Sequence, residues 1–183
     1  MAFAKRPKTL EQDELLQYAV RLLGGRAQST GELREKLRRK AAVASDVDYV
    51  LAKLKDLDYL NDKRFAEYFA TRRLENEGLG KARVMSDLRA KRVAPAVAEG
   101  AVSAAFQDVD EVELIEQFLA RKYRAKPLAQ VLADEKGVAS AYRKLRMAGF
   151  SSGNAVRVLK RHARDVEGVE GLADSELPVV EEE

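Results

Sequence analysis

Helical periodicity recurs three times along this chain, and each time it carries the same short phrase: a leucine followed by an arginine. The phrases are Lys36-Leu37-Arg38, Asp87-Leu88-Arg89 and Lys144-Leu145-Arg146, 51 and 57 residues apart. An apolar residue comes five or six positions later each time (Val43, Val93, Phe150), and then a helix-start residue (Ser45, Pro95, Ser151). Strand signals are scarce, with one isoleucine and no apolar/polar alternation between turn pairs. The fold class expected is all-α, built of about three tandem three-helix units. The expected boundaries are an extension over 1–9, units over 10–59, 60–108 and 109–165, and an acidic disordered tail over 166–183.

Local signals place the helices. Leu15, Tyr18, Ala19 and Leu22 share a face at i, i+3, i+4 and i+7 before Gly24-Gly25. Ser29-Thr30-Gly31-Glu32 reads as a capping box, with Glu32 reaching back to the cap. Leu33 and Leu37 line the helix it opens. Ser45 is expected to cap a third helix through Val47, Val50, Leu51, Leu54 and Leu57. Asn61 is expected to cap a fourth, whose apolar face is Phe65, Ala66, Phe69 and Ala70. After Gly78 and Gly80, Val84, Met85 and Leu88 mark a shorter helix, and Pro95 suits the first turn of the next. Asp110 caps a helix through Leu114, Ile115, Phe118 and Leu119. A looser stretch around Pro127 and Gly137 precedes Tyr142, Leu145 and Ala148, and Ser151 caps the last helix through Val156, Leu159 and Ala163.

Composition removes several function classes. There are no cysteines and one histidine, His162, so thiol chemistry and Cys- or His-clustered metals are not expected. Charged residues make up 34% of the chain, no uncharged run reaches the ~18–20 residues of a spanning helix, and the N-terminal residues lack a signal peptide's apolar stretch. A cytoplasmic protein without membrane association is expected. Gly149-Phe150-Ser151-Ser152-Gly153 matches the G-x-S-x-G pattern of a hydrolase nucleophile, but a helical segment rather than a strand precedes Ser151, which fits a helix cap. Gly78-Leu79-Gly80-Lys81 lacks the glycine and Ser/Thr of a phosphate loop at Glu75 and Ala82, and is expected to be a flexible turn. No cofactor and no catalytic residue are expected, and His162 is expected to be a packing or rim residue.

Charge is uneven. Residues 166–183 hold seven acidic and no basic residues, which leaves 33 basic against 23 acidic over residues 1–165, a formal +10. A basic body with an acidic tail suits meeting polyanions or acidic protein surfaces, and the tail is expected to fold back transiently and screen the body. The cations cluster: Arg34, Lys36, Arg38, Arg39 and Lys40; Lys81, Arg83, Arg89, Lys91 and Arg92; Arg121, Lys122, Arg124 and Lys126; Arg157, Lys160, Arg161 and Arg164. Each alone is an ordinary solvated helix face. Four at related repeat positions form an extended basic surface, rich in arginine for bidentate contacts to carboxylate or phosphate. Few aromatics interleave, which disfavours base stacking.

Tyr59-Leu60-Asn61-Asp62-Lys63-Arg64-Phe65-Ala66, then Arg72-Arg73, then Gly78-Leu79-Gly80-Lys81-Ala82-Arg83 and Asp87-Leu88-Arg89-Ala90-Lys91, closely resembles the signature of the RecX family. Tyr142-Arg143-Lys144-Leu145-Arg146 and Gly149-Phe150-Ser151 look like its closing element, so the resemblance covers roughly residues 12–164. It implies tandem three-helix units in an elongated, curved arrangement, acting as a monomer that regulates the RecA recombinase. Such proteins bind the RecA filament on single-stranded DNA, lie in its groove, and restrain its growth, ATP hydrolysis and strand exchange in recombination and DNA repair, meeting DNA directly or through the filament. The candidate contact residues are Arg34, Arg38, Arg72, Arg73, Lys81, Arg83, Arg89, Lys91, Arg92, Arg121, Arg124, Arg157, Lys160, Arg161 and Arg164. Two other readings stand beside it: a DNA-binding regulator using one unit as a helix-turn-helix, and a helical-repeat scaffold for another protein.

Overall fold

The structure, a computed structural model, describes residues 9–163. The expectations for the acidic tail and for Arg164 lie outside the described residues. Among the described residues, ten α-helices and one π-turn succeed each other: α1 (Gln12–Gly25), α2 (Thr30–Arg38), α3 (Ala44–Asp56), α4 (Asp62–Arg72), the π-turn (Arg73–Glu77), α5 (Lys81–Ala90), α6 (Pro95–Ala105), α7 (Glu111–Lys122), α8 (Leu128–Val131), α9 (Glu135–Met147) and α10 (Ser152–His162). The same residues form no strand, only one isolated bridge between Leu10 and Ala41. The all-α expectation holds.

Two compact units make up the chain. Unit 1 takes residues up to 70 and 87–104, and unit 2 takes 71–86 and the chain from 105 onward. In unit 1, α1, α2 and α3 pack together around Leu15, Leu33, Leu37, Val50 and Leu54, none of them accessible to solvent. The small residues Ala66, Ala70 and Ala98 are likewise fully buried in this unit, with Leu88 and Val102. In unit 2, α10 packs on α7 and α9, and Ile115, Leu119, Ala141, Leu145, Phe150, Val158 and Leu159 form a core closed to solvent. Phe118 meets Phe150 edge-on, with ring centroids 5.4 Å apart, the geometry aromatic quadrupoles favour.

The repeated leucines are the best-placed expectation: Leu37, Leu88 and Leu145 all have no exposure. The turns after them are of two kinds. After Leu88 and Leu145 the chain passes through a left-handed residue, Arg92 (φ 56°) and Gly149 (φ 87°). Val93 N–H then bonds the Leu88 carbonyl, and Phe150 N–H the Leu145 carbonyl, five residues back. This is the paired-bond helix ending that drives the next apolar side chain inward, and Val93 and Phe150 are buried. After Leu37 no left-handed residue occurs. Ala41 N–H bonds Leu37 O, while Leu10 and the 40–42 backbone bond each other. Val43 is therefore left 52% exposed.

Several caps form as expected. Asn61 Oδ1 accepts from Arg64 N–H at 3.0 Å, Asp110 from Val112 and Glu113, and Ser151 Oγ from Asn154 N–H. Others correct the sequence reading. Ser45 does not cap α3, which starts at Ala44 after the extended Val43 and has no side-chain cap. Ser29 accepts from Glu32 N–H, but the Glu32 carboxylate turns to Arg26 and Lys91 instead of back to Ser29, because two cations outcompete one amide. The stretch around Gly137 is helical from Glu135, capped by Asp134. Gly137 is needed there, since a Cβ would sit 1.9 Å from the Val131 carbonyl oxygen.

Candidate partner interface

In unit 1 the α2 carboxylates answer most of the cations near them. Glu32 accepts from Arg26 Nη2 at 3.2 Å and Lys91 Nζ at 3.0 Å. Burial raises its pKa, but the bonds from Lys91 and Arg26 outweigh that and hold it below the ordinary carboxylate range. Glu35 pairs with Arg39 at 3.1 Å and Arg92 at 3.7 Å, and Arg34 pairs with Asp48. Lys91 is a structural residue as well as a cation, because its carbonyl accepts from Ser29 Oγ. Asp62 Oδ1, which begins α4, accepts from Thr30 N–H at 2.7 Å and so serves the start of α2. Arg38 and Arg89 are exposed and have no partner among the described residues.

In unit 2 several arginines bond to backbone. Arg121 donates to the Asn76 and Glu77 carbonyls at 3.4 and 3.2 Å, satisfying the end of the π-turn. It lies so close to Gly78, itself at φ 60°, that a Cβ there would sit 1.6 Å from the guanidinium. Arg83 donates to the Met147 carbonyl at 3.4 Å. Arg73 pairs with Glu77 at 2.6 Å, and the Arg72 guanidinium donates to the Asn76 side-chain oxygen at 3.2 Å. Glu116 pairs with Arg161 at 3.6 Å and is hydrogen-bonded to His162 Nε2 at 2.7 Å, so the histidine sits at a helix rim against a carboxylate. Lys160 is half-buried. Lys81, Arg124 and Arg157 are exposed without a partner among the described residues.

The Gly78–Lys81 segment is pinned, which corrects the expectation of a flexible turn. Gly80 N–H bonds the Ala148 carbonyl at 2.8 Å and Ala82 N–H the Gly149 carbonyl at 3.2 Å. A Cβ on Gly80 would meet Gly149 O at 2.3 Å, and one on Gly149 would meet Arg83 N at 2.2 Å. Two glycines let the start of α5 and the end of α9 touch through backbone. Beside them, Ser151 works as a helix cap held by Glu111: the carboxylate accepts from Ser151 N–H at 2.9 Å, from Ser151 Oγ and from Asn154 Nδ2. Burial raises the Glu111 pKa, but the Ser151 and Asn154 bonds and the Arg146 charge outweigh it and leave it lowered. A serine so engaged is a tie between α7 and α10.

Exposed ion pairs are worth about 0–1 kcal/mol, so Arg34, Arg92 and Arg161 can trade their carboxylates for those of a partner at little cost. Lys91 and Arg121, which also satisfy backbone or partly buried groups, cannot. The candidates thus sort into a ready set, Arg38, Lys81, Arg89, Arg124 and Arg157, an exchangeable set, and a structural set. Among the described residues no group of three His, Cys, Asp or Glu could hold a metal ion, and no helix is long and apolar enough to cross a membrane.

Comparison with known proteins bears on most of the chain. The model of the first three-helix domain of RecX matches residues 16–54, and that of the second matches residues 61–102. The regulatory protein RecX of Deinococcus radiodurans is 33% identical over 148 residues, 80% of this chain and 68% of that protein. That of Amycolatopsis mediterranei is 33% identical over 157 residues, 84% and 85% of the two chains. The crystal structure of RecX from Lactobacillus salivarius aligns over 82% of this chain and 95% of that one with a TM-score of 0.61, at 21% identity. That likeness supports the all-helical fold.

Proposed function

This chain belongs to the RecX family, and on that premise we propose that it is a non-enzymatic modulator of the RecA recombinase. In this reading it binds the RecA filament on single-stranded DNA and limits the filament's growth, ATP hydrolysis and strand exchange. The observation that carries the reading beyond family membership is the ready set of cations. Arg38, Lys81, Arg89, Arg124 and Arg157 are exposed without a partner among the described residues and come from both compact units. A filament of protein on DNA offers carboxylates and phosphates together, and arginine's planar fork suits both. Contacts spread over several helices favour an extended partner over a single recognition helix, which concentrates its contacts on one element.

The deciding experiment measures the single-stranded-DNA-dependent ATPase of RecA with substoichiometric amounts of the purified chain. Inhibition by fewer copies of this chain than of RecA supports the reading. An unchanged ATPase and unchanged filament length, with the chain folded and in excess, overturn it.

A further inference from the structure

Unit 2 carries an open groove of about 530 Å³ beside the turn that joins α9 to α10. Its walls are apolar, with Met85, Phe106, Val109, Leu114 and Phe150 lining it, and Lys81 and Arg146 also border it. Both cations are exposed. Lys81 has no partner among the described residues, and Arg146 bonds the Phe150 carbonyl through Nη1. The carboxylate among the lining residues, Glu111, is taken up by Ser151 and Asn154. Met85, Phe106 and Val109 are only half-buried, so apolar surface remains to be covered. The matching ligand is a short apolar stretch flanked by carboxylates.

The chain contains such a stretch beyond its described residues: Glu176-Leu177-Pro178-Val179-Val180-Glu181-Glu182-Glu183. We propose that Leu177–Val180 docks in this groove of its own chain, with the flanking glutamates toward Lys81 and Arg146. Chain length supports the assignment. The groove is lined by Ser151, the N-cap of α10, and the tail leaves from the other end of that 11-residue helix, about 16 Å away at 1.5 Å per residue. Residues 164–176 include Gly168 and Gly171, and a flexible linker of that length has a root-mean-square span of about 20 Å. A linker matched to its span gives an effective concentration on the order of millimolar, so even a weak site is substantially occupied. Pro178 has a fixed φ, which lowers the cost of ordering the segment. Docking of the tail requires no RecA and is tested without it.

The chain has no cysteine, so Ser175→Cys takes a single nitroxide in the full-length protein. Docking predicts preferential paramagnetic broadening of the Met85, Val109 and Leu114 methyl signals. The double variant Leu177→Ser/Val179→Ser should relieve it, and Lys81→Glu should weaken it by roughly two- to fivefold, the weight of one or two exposed ion pairs. Broadening that survives the loss of the apolar residues means a purely electrostatic association and overturns the proposal. So does preferential broadening at Val20 and Leu23, which line a second groove in unit 1, or no preference at all. Broadening that passes from nitroxide-labelled to isotope-labelled copies in a mixture assigns the groove to a second chain's tail, and also overturns it.

Discussion

At the residue scale, two left-handed positions invite opposite substitutions. Arg92 holds φ 56° and Gly149 φ 87° at matching points of their turns. A left-handed backbone costs a non-glycine residue about 1–2 kcal/mol, and the Arg92 side chain sets against this an exposed pair with Glu35 at 3.7 Å. Arg92→Gly is expected to leave the melting temperature unchanged or raise it slightly. Gly149→Ala is expected to lower it by several degrees, since the new methyl adds a clash with Arg83 N to about 1–3 kcal/mol of backbone strain; thermal unfolding of the two variants checks the pair. Glu111 sets a pH expectation. Its folded pKa is lowered, so its contribution is present above the unfolded carboxylate pKa of about 4.3 and is lost as pH falls through the folded value. Glu32 acts in the same direction. Glu111→Gln should cost about 1–2 kcal/mol at neutral pH, the worth of charged hydrogen bonds. It should also flatten the fall in stability below a pH of about 4.3, as chemical denaturation at a series of pH values would show.

At the scale of elements, α5 presents both a core face and an exposed basic face. Val84 and Leu88 have no exposure, while Arg83 and Arg89 are exposed. The pair Arg83→Glu with Arg89→Glu should therefore keep the helical circular dichroism signal and weaken RecA inhibition. If these arginines meet phosphate, the log–log salt slope of single-stranded DNA binding should also fall by about 0.7 for each phosphate no longer neutralised. If they meet acidic side chains, that slope should stay nearly unchanged. A double variant that inhibits like the parent removes α5 from the interface. Helix α9 supplies a stability test. Leu145 is fully buried in the unit 2 core, so Leu145→Ala is expected to cost about 2–5 kcal/mol, read by denaturant titration. Leu57, on the face expected to be apolar in α3, is 58% exposed, and its truncation should cost far less.

At the scale of the whole molecule, charge divides between a +10 body and a tail with seven acids. Deleting residues 166–183 should tighten binding to single-stranded DNA, with the gain growing as salt falls, because exposed charges are screened over about 8 Å at physiological ionic strength. Affinity unchanged at low salt would separate the tail from the nucleic-acid surface. The helical class, the caps at Asn61, Asp110 and Ser151 and the burial of Leu37, Leu88 and Leu145 were all legible in the sequence, because periodicity and capping act within a few residues of chain. Tertiary structure alone decided which cations remain available. Arg121 bonds carbonyls 44 and 45 residues away, and Lys91 meets a glutamate 59 residues away. It also decided that Ser45 yields to Val43 at the start of α3 and that Gly80 and Gly149 pin a turn which looked flexible. Those outcomes depend on partners brought together by folding, and a linear pattern of residue types carries no record of which distant carboxylate or carbonyl a given arginine will meet.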